Sequence, residues 1–168
     1  TSGKAIISYS SFDIAWGQWV KFIQPGADSR VLNRIDGSAP TRIEGTLMAN
    51  GHVYFVNPAG VIFGNGAVIN CGSFAAAAGQ LSDQDFLQGR DHFTNLSGNV
   101  VNHGQIEVAK GGTVQLIGQH VANYGQIIAP QGTIVLAAGN DVLVGESGGR
   151  IYARISGDGV ARPEGVRN

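Results

Sequence analysis

Asn102-His103-Gly104-Gln105-Ile106 returns 21 residues later as Asn123-Tyr124-Gly125-Gln126-Ile127, and Gly112-Thr113-Val114-Gln115-Leu116 returns 20 residues later as Gly132-Thr133-Ile134-Val135-Leu136. The one-residue slip falls between the blocks, where Glu107-Val108-Ala109-Lys110-Gly111 faces the shorter Ile128-Ala129-Pro130-Gln131. Matched blocks separated by an indel at a turn mark a stacked repeat. Fainter echoes stand upstream at Glu44-Gly45-Thr46-Leu47 and Gly66-Ala67-Val68-Ile69-Asn70. Between these words the apolar runs are short: His52 to Val56, Val61 to Phe63, Thr113 to Ile117 and Thr133 to Ala137. Gly, Asn or Pro bounds each run, and no segment keeps an i, i+3, i+4, i+7 pattern over three turns. Short strands, tight corners and a period near 21 predict an all-β solenoid whose coils pair in parallel about 4.8 Å apart. Ile, Val, Leu and Ala are expected inside, with Gly and Asn at corners for their tolerance of positive φ. Asn102 then stacks on Asn123 and His103 on Tyr124, and residues 43–156 hold about five coils of roughly 21 residues.

Composition agrees. The chain has 168 residues, 26 of them Gly, with 14% charged residues and a net charge of −1. That balance gives neither the basic stripe of a nucleic-acid surface nor a polybasic membrane anchor. Ile and Val number 31 against 8 Leu, and such β-branched side chains suit a pleated surface rather than a helical bundle. The 43% hydrophobic content is enough to build a core, which excludes disorder. The length fits one domain. Cys71 is the single cysteine, so no disulfide can form within the chain, and no apolar run approaches the ~18 residues of a membrane helix. The chain opens at Thr1 without an initiator Met or a charged-then-apolar leader, and it is expected to be a segment of a longer protein.

Two stretches break the repeat. Residues 4–22 carry Tyr9, Phe12, Trp16, Trp19 and Phe22, as expected of a cap or first coil over an open solenoid end. Residues 80–98 contain Ser82-Asp83-Gln84-Asp85, a helix-capping sequence, and predict an excursion in the form of a short hairpin or a turn of helix. The expected layout is a cap and first coils over 1–42, coils over 43–79, the excursion over 80–98, regular coils over 99–156 and a tail over 157–168.

Few residues offer chemistry. Asn57-Pro58-Ala59-Gly60 lies between two apolar strands, and Asn, Pro and Gly at the first, second and fourth places fit a type I turn. It reads first as a corner of the coil and second as a recognition element. His52, His92, His103 and His120 lack the spacing of a metal site, so no metal or cofactor is expected. Asp83, Asp85 and Asp91 around Arg90 could supply the acids of a carbohydrate-active β-helix, but charge runs are usually solvated loops. Gly64-Asn65-Gly66 lacks the third Gly and the helix of a phosphate loop. Asn95-Leu96-Ser97 is the one glycosylation sequon, which places a possible modification on Asn95.

The words Val31-Leu32-Asn33-Arg34-Ile35, Ile43-Glu44-Gly45-Thr46-Leu47 and Asn50-Gly51-His52-Val53-Tyr54-Phe55-Val56-Asn57-Pro58-Ala59-Gly60-Val61 form an ordered run. Phe12-Asp13-Ile14 and Trp19-Val20-Lys21-Phe22-Ile23-Gln24-Pro25 precede it, and Val101 to Ile106 follows. Together, over about residues 4–144, they resemble the amino-terminal secretion domain of filamentous haemagglutinin and the related high-molecular-weight adhesins, large exoproteins of bacterial two-partner secretion. The resemblance implies a right-handed parallel β-helix with an extra-helical element. It also implies export through the periplasm of a Gram-negative bacterium and recognition by an outer-membrane TpsB-type β-barrel with POTRA domains. Asn57-Pro58-Ala59-Gly60 matches the family's Asn-Pro-Asn-Gly motif with Ala59 in third place, and Asn33 matches the Asn of the upstream Leu-Asn word. The family's Asn-Pro-Asn-Leu motif has no counterpart; Gln24-Pro25-Gly26-Ala27 stands nearby, which suggests the adhesin-type subgroup.

The reading is therefore a secreted or cell-surface targeting module, monomeric and not an enzyme, with Asn33 and the Asn57–Gly60 corner as its recognition residues. Host glycans or proteins are expected to engage the rest of the exoprotein. The alternatives are a directly adhesive β-helix and, behind it, a carbohydrate-active one.

Overall fold

A computed structural model describes residues 3–148, 150–156 and the backbone of 166–167. The chain winds into a parallel β-solenoid of about six turns. The first turn contains β1 (Lys4–Tyr9) and β2 (Trp19–Phe22), and between them Ile14 makes a single parallel bridge to Ile43 in the second turn. The second contains β3 (Arg30–Ile35), β4 (Thr41–Ile43) and β5 (Thr46–Ala49), and the third β6 (His52–Val56), β7 (Val61–Phe63) and β8 (Val68–Cys71). The fourth opens with β9 (Ser73–Ala77), then leaves the solenoid through β10 (Gln80–Leu81), α1 (Asp83–Gln88) and β11 (Asp91–Thr94). It returns as β12 (Asn99–Asn102) and β13 (Gln105–Val108). The fifth is β14 (Thr113–Gly118), β15 (His120–Asn123) and β16 (Gln126–Ile128). The sixth starts with β17 (Thr133–Ala138), leaves again through β18 (Asp141–Ser147) and β19 (Arg150–Ser156), and rejoins at β20 (Val166–Arg167).

Three parallel sheets result. Face A is β1-β3-β6-β9-β14-β17, face B is β4-β7-β12-β15-β20, and face C is β2-β5-β8-β13-β16. The repeat read from the sequence is the register itself: Asn102 pairs with Asn123, Gln105 with Gln126 and Thr113 with Thr133. The upstream echoes join the same ladder, with Leu47 beside Ile69 and Ile69 beside Ile106.

Both departures from the solenoid leave at one corner, between faces A and B, and they pair with each other. β11 runs antiparallel to β10 and β18, and β18 to β19, giving a sheet β10-β11-β18-β19 that lies on the outer side of face A. Residues 141–156 were expected to continue the regular coils; they form this hairpin instead. Alternating Val142 and Val144 would fit either arrangement, and the apolar outer side of face A decides it.

Face A is therefore buried twice. Its inward residues Val31, Val53, Phe55, Phe74, Val114 and Leu116 line the solenoid core. Its outward residues Leu32, Tyr54, Val56, Ala75, Ala77 and Ile117 meet Leu81, Phe86, Phe93, Leu96, Val142 and Val144 of the added sheet. A sheet covered on both sides reads as a continuous apolar run rather than an alternation, as Phe74-Ala75-Ala76-Ala77 does. Phe12, Phe55, Phe74 and Phe63 chain through the core with ring centroids 4.8, 6.2 and 5.6 Å apart. Burying each of the last three contributes about 1.5–3 kcal/mol.

The aromatic amino-terminal stretch is a first coil. Tyr9, Phe12 and Phe22 turn into the core, while Trp16 and Trp19 remain 82% and 67% exposed. The expected tail at 157–168 lies outside the described residues except for β20, whose Val166 pairs with Val121. In the excursion, Ser82 caps α1 by accepting from the Asp85 amide at 3.0 Å, and Gly89 closes it in the left-handed conformation. The acids expected on a solvated loop divide. Asp83 is exposed and pairs with Arg34 at 2.6 Å, but Asp91 accepts from Tyr54 Oη at 3.1 Å and from Gln115 Nε2 at 2.7 Å, pinning the excursion to face A.

The corner residues serve partly as expected: Gly60 and Gly111 take positive φ, whereas the stacked asparagines do not. Asn102 and Asn123 have ordinary negative φ. Asn102 Oδ1 accepts from the Gly104 amide at 3.0 Å, and its Nδ2 donates to Asn123 Oδ1 at 2.8 Å, so the side chain closes the corner and stacks it. At Gly125 the demand is space: a Cβ there would stand 2.1 Å from the Gly104 carbonyl oxygen. His103 and Tyr124 stack as expected, 5.1 Å between centroids at 17°.

Candidate functional site

Asn57 follows β6 at the corner from which, one coil later, the excursion departs. Its side chain is fully buried. The turn closes through the Gly60 amide donating to the Asn57 carbonyl at 2.9 Å, and Asn57 Oδ1 accepts from the Ala59 amide at 2.9 Å. Asn57 Nδ2 donates to the Ala39 carbonyl at 3.0 Å and to Thr41 Oγ1 at 3.1 Å in the coil below. The Asn57 amide donates to the Ala77 carbonyl at 3.0 Å in the coil above. One residue thus ties three successive coils, and every polar group it carries is matched.

The rest of the corner fits tightly. Gly60 has φ +122°, a region that L side chains rarely adopt, and a Cβ there would lie 2.9 Å from the Asn99 carbonyl oxygen. The Pro58 carbonyl accepts from Ser97 Oγ at 3.1 Å. Pro58 and Ala59 are half-buried and are the side chains of the motif that reach the surface. Beside them opens a cleft of about 310 Å³ lined by Arg34, Asp36, Pro58, Gln80, Ser82 and Asp83, among others.

Asn33 lies elsewhere. It faces inward from β3, fully buried, donating to the Tyr54 carbonyl at 3.1 Å and accepting from Tyr9 Oη at 3.3 Å. Burial raises the Tyr9 phenol pKa above its ordinary value. Asn33 and Asn57 share no hydrogen bond; one organises the amino-terminal core, the other a surface corner. Asn95 is exposed at φ +50°, and its Nδ2 donates to Gln80 Oε1 at 2.8 Å.

Thr41, Ala39 and the Ser97-Gly98 pair, which close over the motif, carry no local signal in the sequence. A second polar group was also missed, on the outer side of face A: Arg30, His52, Tyr54, Asp91 and Gln115. Its signal was present, since Gln115 interrupts an apolar run. Desolvation there, reinforced by Arg30, lowers the His52 pKa, and burial with the neighbouring Asp91 carboxylate raises that of Tyr54. Among the described residues no cluster of three metal-ligating side chains forms, and no helix is long and apolar enough to cross a membrane.

Residues 1–162 match the family model described as TPS secretion domain. A heme/hemopexin-binding protein of Haemophilus influenzae (strain ATCC 51907 / DSM 11121 / KW20 / Rd) is 37% identical over 142 residues, covering 79% of this chain and 16% of that protein. A second Haemophilus influenzae protein of the same name is 44% identical over 80 residues, covering 48% of this chain and 9% of that protein. The chain thus spans a small fraction of these relatives. The crystal structure of the HMW1 secretion domain from Haemophilus influenzae superposes with a TM-score of 0.85 at 30% identity, covering 99% of this chain and 47% of that one.

Proposed function

The chain belongs to the TPS secretion domain family, and on that premise we propose that it addresses a large adhesin-like exoprotein to an outer-membrane β-barrel transporter with periplasmic POTRA domains, then seeds β-helix growth outside the cell. TPS domain proteins are secreted by Gram-negative bacteria. The observation that carries the folding half is the ladder: each solenoid strand pairs only with the coil before and the coil after. Such a chain can fold one coil at a time as it emerges, each coil burying its own aliphatic residues on the last. Folding beyond the pore biases transit outward without a nucleotide.

The recognition half rests on Asn33 and Asn57-Pro58-Ala59-Gly60. Both asparagines are enclosed once folded, whereas a chain that threads a pore is unfolded and offers them freely. The motif is read on that open chain and is then consumed in building the corner. An extended segment of this kind suits β-augmentation of a POTRA sheet edge. The domain works by recognition and folding, not catalysis. Whatever activity the full exoprotein has, including any shared with the heme/hemopexin-binding relatives, is assigned to other parts of it.

The test compares Asn57→Ala with Thr41→Val, which removes a folded-state partner of Asn57 and leaves the motif intact. Export would be followed in cells carrying the transporter, with thermal unfolding of each purified domain alongside. Export is expected to fall further for Asn57→Ala than for Thr41→Val at matched stability. Equal losses would reduce the motif to a structural corner.

A further inference from the structure

On the outer side of face A, two registered ladders run beneath the added sheet. One is Arg30, His52, Ser73 and Thr113; the other is Leu32, Tyr54, Ala75 and Gln115. Ala75 is short between two long neighbours, and its place in the ladder is a hollow of about 110 Å³. The hollow adjoins a groove of about 230 Å³ lined by Gly89, Asp91, Val144, Gly145 and Ile151 among others. Each is smaller than the roughly 300 Å³ at which small-ligand pockets begin, and well beyond the ~30 Å³ share of one water.

The floor is polar and incompletely matched. Gln115 is 6% exposed, and its Nε2 donates to Asp91 at 2.7 Å, yet its Oε1 is buried without a partner. Turning the amide over would set its oxygen against the Asp91 carboxylate, so the orientation is fixed and the free acceptor stays. Leaving such a group unmatched is a standing cost to the fold. Arg30 spends one N–H on Tyr54 Oη at 3.4 Å, and its guanidinium retains further donors. Asp91, with a bond to each oxygen, keeps lone pairs for more. Ser73 and Thr113 bring hydroxyl groups to the same wall.

Donors and acceptors of both kinds lie side by side with opposite charges close together. Asp91 and the rim residue Glu146 disfavour an anion, and Arg30 disfavours a cation. A neutral ligand whose hydroxyls each donate and accept suits the set, and Val144 and Ile151 offer an apolar wall to its C–H face. We propose that this hollow and groove bind a single hydroxylated sugar unit, with Asp91 accepting from its hydroxyls and Arg30 donating to them. This binding function goes beyond the export reading and does not depend on it.

The test is an NMR titration of the isotope-labelled chain with methyl α-mannoside, methyl β-galactoside and methyl β-glucoside, with sulfate and Ca²⁺ as separate arms. Saturable shifts are expected for at least one glycoside at the Gln115 side-chain amide and the Thr113 and Gly145 backbone. In Gln115→Leu, which also breaks the Nε2 bond that holds Asp91 in place, these shifts should vanish, and the rest of the spectrum reports whether the fold is kept. Arg30→Met, at the half-exposed rim, should weaken binding at least about tenfold, or about 1.4 kcal/mol, and supplies the answer if Gln115→Leu does not fold. The assignment is overturned by silence toward all three glycosides, by shifts that persist equally in the folded variants, or by saturation with sulfate or Ca²⁺ alone.

Discussion

At the scale of single residues, the buried side chains of Asn33, Asn57 and Asn102 find partners one coil away, and Cys71 shows what the same enclosure does to an ionisable group. It is 3% exposed, its Sγ faces the Ser73 carbonyl at 3.2 Å, and burial pushes the thiol up to about 12 from an ordinary 9.0. Thiolate is the reactive form, so the native thiol should stay silent toward a disulfide reagent at pH 8 and react fully in denaturant. The folded pKa is the higher one, so the contribution to stability is complete below pH 9.0 and is lost as pH rises toward 12. Across that window the unfolded chain ionises while the folded one does not, at about 1.4 kcal/mol per pH unit. Denaturant unfolding at pH 8 and pH 10.5 should show a steeper alkaline loss for the natural chain than for Cys71→Ala. Equal slopes, or rapid native labelling, would contradict the burial argument.

At the scale of elements, the coil-to-coil spacing at each corner decides which side chains a turn tolerates. Gly125→Ala should cost about 1–3 kcal/mol, the usual range for overpacking, because its Cβ meets the Gly104 carbonyl oxygen. Gly26→Ala, where a Cβ meets nothing within 4 Å, should change stability by less than about 0.5 kcal/mol. Denaturant midpoints of the two variants check the contrast. That spacing also explains what could be read in advance. A parallel ladder sets residues of equal rank above one another, so Asn102 and Asn123, or Thr113 and Thr133, had to recur, and the strands were legible. The hairpin of β18 and β19 was not, because Val142 and Val144 alternate alike in a coil strand and in an antiparallel partner of β11. The turn at Asn57 to Gly60 was legible from its own four residues. Its bonds to Ala39 and Thr41 were hidden, because they depend on a coil about 16–18 residues upstream. Gln115 advertised itself by being polar in an apolar run, but only the arrival of Asp91 from the excursion gives that amide its setting.

At the scale of the whole molecule, the solenoid and its added sheet assemble on different terms. Pairing within faces A, B and C is between successive coils, so each coil can settle as soon as the chain supplies it. The sheet over face A is otherwise: β11 lies in the fourth turn and β18 in the sixth, with Phe93 registered on Val142. The outer cover of Tyr54, Ala77 and Ile117 is therefore complete only after the sixth turn has begun. Growth and fastening are separate events, and the second draws together coils that the first had merely stacked. Protection against amide exchange should reveal this division. β6, β9 and β14 lie between two apolar layers and should exchange slowest, whereas β5 and β13 on face C, packed on one side only, should exchange faster. Replacing Val142 and Val144 together by Ala removes apolar volume from the cover and leaves the solenoid core untouched. Hydrogen exchange read by mass spectrometry should then show β6, β9 and β14 losing protection while β5 and β13 change little. If all three faces lost protection together, the solenoid and its cover would be one cooperative unit, and coil-by-coil folding would lose its physical footing.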